Sequence, residues 1–198
     1  MKTIVFFLGA LALALATAPV QAEQTPMQPT AGNLTATPFS DEMAFISTRM
    51  SADDFYVETG SSGEGEAIVL QGVIDGVNND KVYIHMFFPR TNPSAKQLLA
   101  SIVAPRGLLA ANGWHVVQVE PQPTLSYPWL REHIAFAGEK EDTSGLILVG
   151  EEKGRVFRII IHSPDELRDW LRPRCTVVLT HLELQQAALD SASDHARE

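Results

Sequence analysis

The chain has 198 residues, with 15 Lys and Arg against 24 Asp and Glu, and a formal charge of −9 at pH 7. That acidity argues against nucleic acid, since phosphate binding needs clustered Lys and Arg, and it argues against an anionic membrane surface. The length suits one domain with a full core, and the single cysteine, Cys175, permits no internal disulfide, so apolar packing must hold the fold.

Lys2 precedes an almost wholly apolar run over residues 3–17, and Val20-Gln21-Ala22 supplies the small residues of a cleavage site. Residues 1–22 read as a secretory signal peptide cut after Ala22. The run is shorter than the ~20 residues that span a bilayer, so no stable membrane insertion is expected after cleavage. No cysteine follows the run, which excludes a lipid-anchored lipoprotein. The short leader has a bacterial form and places the mature protein in the periplasm or outside the cell. Residues 23–40 carry Pro26, Pro29 and Pro38 among Thr, Gln and Ala without periodicity, and read as a disordered or extended tether. A single domain is expected over 41–186, followed by a frayed polar tail over 187–198.

Within the domain, residues 43–50 and 54–59 read as short strands or one bent strand, and residues 60–65 as a flexible glycine loop. Residues 66–74 and 81–88 are rich in β-branched and aromatic side chains and predict strands, joined as a hairpin through residues 75–80. The period then changes. Asn92 followed by Pro93 reads as a helix start, and Leu98, Leu99, Ile102 and Val103 fall at helical spacing. Pro105 kinks or ends that helix, or opens a second turn, and Asn112-Gly113 stops it. Strands follow at 114–121 and 131–138. Residues 145–161 predict a second hairpin with a bulged turn at Gly154.

Residues 158–175, RIIIHSPDELRDWLRPRC, pose the sharpest question. Ser163 reads as a cap, Pro164 as a first-turn residue and Glu166 as the closing member of a capping box. Pro173 then falls inside the helix, at a cost of ~3 kcal/mol. Leu167, Trp170, Leu171, Arg174, Cys175, Val178 and Leu182 nevertheless stay in phase along one stripe. Burying each large apolar member is worth ~1.5–3 kcal/mol, so the periodicity favours a kinked or two-segment helix over a switch to strand.

The stretch from 154 to 184, GRVFRIIIHSPDELRDWLRPRCTVVLTHLEL, resembles the closing part of the PsbP/Mog1/DcrB-like superfamily: strand, Ser/Pro/Asp helix start, mid-helix Leu-Arg-Pro element, then a short extended piece. WHVVQVEPQPTL and REHIAFAG are similar to its middle strands, and the helix at 93–111 sits where the family places one. The family's common Ser-Phe pair stands here as Thr180-His181. The resemblance implies an α+β fold, an α/β/α sandwich with a central, mainly antiparallel sheet. It also implies a binding or assembly module, and it carries no catalytic residues or cofactor.

Candidate chemistry is sparse. His85, His115, His133 and His162 lie on or beside predicted strands, and His181 and His195 follow. Zinc would need three or four of them to converge, but paired-ligand spacings are missing and they read as surface or edge residues. GSSGEG lacks the register of a nucleophilic serine motif and the Lys-Ser/Thr of a phosphate loop. Cys175 with His162 or His181 forms a pair only if the fold joins them; otherwise Cys175 is core. Asp53-Asp54, Glu139-Glu141-Asp142 and Glu151-Glu152 read as solvated turns. Leu125, Tyr127 and Trp129 concentrate apolar and aromatic character in a proline-rich connection. They read either as a partner-binding patch or, for Trp129, as a plug at the core's edge. The function expected is therefore a non-catalytic binding or accessory protein. Its partner would be a protein of the envelope or a secretion system, including a basic toxin in an immunity role. A binder of a small apolar ligand is the alternative. A hydrolase or metal enzyme has least support.

Overall fold

Runs of β-branched and aromatic residues dominate the chain, and they build strands first. The computed structural model describes residues 35–39, 43–118, 125–138 and 142–185. The elements are β1 (Thr35–Pro38), β2 (Ile46–Met50), β3 (Phe55–Ser61), β4 (Gly65–Ile74), β5 (Val77–Pro89), α1 (Ala95–Val103), α2 (Leu108–Ala111), β6 (Trp114–Val117), β7 (Leu130–Gly138), β8 (Thr143–Glu152), β9 (Arg155–Pro164), α3 (Arg168–Thr180) and β10 (Glu183–Leu184). Among the described residues a seven-stranded antiparallel sheet runs in the order β3-β4-β5-β9-β8-β7-β6, beside a three-stranded sheet ordered β1-β2-β10. The class is α+β.

Two hairpins at the centre of the large sheet turn on two residues each. Asp75-Gly76 (φ 53° and 78°) joins β4 to β5, and Lys153-Gly154 (φ 49° and 77°) joins β8 to β9. Positive φ at both positions matches the right-handed twist of the flanking strands. The expected 75–80 loop was too long, and the expected bulge at Gly154 is missing. Residues 78–80 belong to β5, with a register shift after Gln71, and the Gly154 turn carries no bulge because Glu152 pairs directly with Arg155. The expected glycine loop at 60–65 shrinks to residues 62–64, where the Ser62 amide donates to Gly65 O at 2.8 Å.

Both predicted helix starts are displaced. Asn92 is not the cap of α1. It adopts φ 45° and bridges to the β8–β9 hairpin, donating to Gly154 O at 2.8 Å and accepting from the Val156 amide at 2.9 Å. The cap is Ser94, in a reciprocal box with Gln97. Ser163 is no cap either. Strand β9 continues through Pro164, and Ser163 pairs with Ser144 of β8. A single 3-10 turn, Asp165–Leu167, without a side-chain cap, leads into α3.

The helix passes through Pro173, as the phase of the stripe predicts. Leu171, Arg174, Cys175, Val178 and Leu179 are buried along one side. Pro173 removes the bond that Asp169 O would accept, and the apolar burial outweighs that loss. The helix ends at Thr180. Leu182 stays in the core, while Leu184 pairs with Ile46 of β2. Arg174 clamps the helix: its Nε donates to Asp54 Oδ1 at 2.8 Å, its Nη1 donates to Trp170 O at 2.9 Å, and its guanidinium lies 4.3 Å over the Trp170 ring.

Period-two alternation divides the core. Leu148, Phe157 and Ile159 join Ile68, Leu70, Ile84 and Met86 in one cluster with α3 and β2. Ile147, Val149, Val156 and Ile160 point the other way, into a cluster with Leu98 and Ile102 of α1. Because β8 and β9 are covered on both faces, LILV and RIII read as unbroken apolar runs. At the amino-terminal side, β1 lies inside the stretch expected to be a tether, so ordered structure starts at least at Thr35 rather than 41. Residues 1–34 and 186–198, with the expected leader, most of the tether and the tail, lie outside the described residues.

A candidate binding cleft between the sheet and the last helix

On the α3 face, ladder register sorts the floor into rows. Ala137 of β7, Ser144 of β8 and Ser163 of β9 lie side by side, and Ala135, Leu146 and Ile161 form the next row. Consecutive rows are two residues apart along the strands, ~7 Å. Small side chains in the first row hold the floor low. Leu171, Cys175, Thr176 and Leu179 of α3 form one wall, and Leu125 with Tyr127 approaches from the β6–β7 connection. The result is a partly open cleft of about 960 Å³.

The cleft is polar at one end and apolar along its length. At the β9–α3 junction, Arg168 Nη2 donates to Ser144 Oγ at 2.7 Å and pairs with Asp165, while the Ser144 hydroxyl donates to Asp165 Oδ1 at 2.8 Å. Arg172 lies 3.9 Å from Asp169. Further along, burial pushes the Cys175 thiol up to about 12. Its thiolate is therefore suppressed, which removes the reactivity a nucleophile needs. Burial also raises the Tyr127 phenol, with Cys175 adding to the shift.

Of the three residues assigned to a partner patch, the structure turns one inward. Trp129 is 3 % exposed, packs 5.4 Å from the Phe157 ring and stacks on Tyr127 at 5.0 Å. It is the plug at the core's edge and offers no exposed surface. Leu125 and Tyr127 are half-buried and line the cleft instead.

The histidines scatter. His162 is buried on the opposite face, stacked against Tyr83 at 4.8 Å and Trp114 at 5.4 Å, with Nδ1 at 2.9 Å from Lys81 O. A carbonyl only accepts, so Nδ1 carries the proton. The fold thus separates His162 from Cys175, while His181 closes α3 with Nδ1 on Val177 O at 2.9 Å. Among the described residues no group of three or more His, Cys, Asp or Glu is placed to hold a metal ion. Asp54 departs from the solvated-turn reading through its Arg174 pair, whereas Glu151 is an exposed partner of Arg131 at 3.9 Å.

No protein-family model matches the chain, and no curated protein shows significant similarity to it. No helix among the described residues is long and apolar enough to cross a membrane. The cleft itself was missed from sequence because its residues come from four separated stretches. Its one local signal was Ser144 and Ser163 at positions where the flanking strand residues are Leu and Ile.

Proposed function

We propose that this is a non-catalytic binding protein whose cleft, between α3 and the floor of β7 to β9, takes a small and mainly apolar guest. The volume of about 960 Å³ carries this reading. It falls in the ~300–1,000 Å³ range of small-molecule pockets, which are mostly apolar with a few placed polar groups. Leu146, Leu148, Ile161, Leu171 and Leu179 supply the apolar lining.

The reading includes a periplasmic location after cleavage at Ala22 and an α/β/α sandwich of the PsbP/Mog1/DcrB-like kind. What supports the kinship is the order strand, helix through Pro173, short β10 at the chain's end. What supports the sandwich is the pair of clusters, one with α1 and one with α3. A second reading, a protein partner that is basic, draws on the charge of −9. It also draws on the outward side of β3 to β5, where Tyr56 is 47 % exposed and Val69, Tyr83, His85 and Phe87 are half-buried. The guest reading is preferred because the aromatic assigned to a partner surface, Trp129, belongs to the core.

The test is saturable binding of the neutral fluorescent probe N-phenyl-1-naphthylamine. Ala135→Trp fills the floor and is expected to weaken binding about tenfold or more, with unchanged far-UV circular dichroism. Ala137→Leu provides a milder block should the tryptophan disturb folding. A folded variant that binds the probe as well as the parent sinks the reading.

A further inference from the structure

We infer that the guest is an amphiphile with an uncharged, hydrogen-bonding head, seated with that head against Ser163; this rests on the cleft being a binding site. Three observations point to it. Ser163 is 3 % exposed, it lines the cleft, and its hydroxyl makes no hydrogen bond among the described residues. The Ser163 oxygen is not among the buried side-chain atoms left without a partner, so it is accessible from the open cleft, where a guest's polar atom can meet it. A hydroxyl so placed at one end of an apolar cleft is a place for a ligand's polar atoms.

The second observation is charge. The ionisable groups lining that end are Asp142, Asp165, Arg168 and Arg172, two of each sign. Arg168 is already committed to Asp165 and Ser144, and the Ser144 hydroxyl is committed to both. A carboxylate head would have to displace Asp165 from Arg168 in a protein of charge −9. An ammonium head would displace Arg168 from Asp165. The other two, Asp142 and Arg172, are exposed, so a charged head seated at Ser163 would still leave water without a desolvated partner, which is costly. A hydroxyl both donates and accepts, so Ser163 suits an alcohol, ester or amide head.

The third observation is register. Ser163 and Ser144 occupy one row of the floor, and Leu146 with Ile161 occupies the next. Polar and apolar subsites are therefore ~7 Å apart along the strands, which orders the guest head to tail.

Displacement of bound N-phenyl-1-naphthylamine by dodecyl-chain amphiphiles below their micelle concentrations tests this. Monododecanoylglycerol is expected to displace the probe at about tenfold lower concentration than dodecanoate or dodecyltrimethylammonium. Ser163→Ala is expected to weaken the glyceride about three- to tenfold more than it weakens the probe. Ser163→Cys, similar in size but a weak donor, should behave like the alanine variant. Equal or better displacement by either charged amphiphile overturns the head assignment, as does an unchanged glyceride affinity in both Ser163 variants. In those outcomes the probe still binds and Ala135→Trp still blocks it, so the cleft reading survives. Loss of the wild-type probe signal, or its indifference to Ala135→Trp, removes both.

Discussion

His85 projects from the middle of β5, paired across the sheet with Val69 and Ile160. Burial, with the Arg158 charge as a smaller cause, lowers its pKa from 6.5 to about 4. The folded protein therefore resists protonation there, whereas the unfolded chain accepts the proton near 6.5. Stability from this group is full above pH 6.5 and is lost as pH falls through the window down to about 4, by up to ~3 kcal/mol. Urea midpoints at pH 7 and pH 4.5 should diverge more for the wild type than for His85→Leu. Equal loss in both would mean that His85 stays hydrated in the fold. Nothing in the sequence marked this histidine apart from the other five, since its desolvation comes from neighbours on two other strands. Cys175 was different, because its place on the helical stripe already put it in the core.

At the scale of elements, α3 shows how patterning outranks a local breaker. The in-phase apolar stripe across Pro173 was legible, and the helix follows it. Pro173→Ala restores the missing bond to Asp169 O, so unfolding free energy should rise by ~1–3 kcal/mol in urea titrations; a fall would show that the bend itself is needed for packing. Arg174→Met, by contrast, should cost ~3–5 kcal/mol by leaving Asp54 without its partner, and the companion change Asp54→Asn should recover part of that loss. Helix caps were less legible. Asn92 and Ser163 both have cap chemistry, but the β8–β9 hairpin competes for Asn92 and the sheet competes for Ser163. A side chain that can cap goes where the tertiary fold leaves an orphan amide, and for Asn92 that is Val156, 64 residues away.

For the whole molecule, the two ends of the described chain meet on one small sheet, with β1 and β10 on either side of β2. That sheet and α3 share the cluster that backs the cleft, so terminal strands and cleft wall are one structural unit. Mass spectrometry of the exported protein should find Glu23 as the first residue; recovery of the intact leader on a membrane fraction would contradict the periplasmic placement. Cleavage there would leave β1 only twelve residues beyond the new terminus in the numbering of the chain.

The sequence by itself determined the strands of the large sheet, the two hairpins and the helix through Pro173, because each depends on periodicity, turn residues and burial within one short stretch. It also determined what is poorly provided for, with no paired metal spacing, no phosphate loop and an acidic surface. Only the tertiary structure decided that Trp129 turns inward, that Asp54 is paired and that Ser163 sits in a strand facing empty space. Those outcomes depend on which distant side chains arrive opposite, and on how much volume small residues on β7, β8 and β9 leave beneath α3. A cleft is a property of several surfaces that fail to fill one another, and no single segment encodes it.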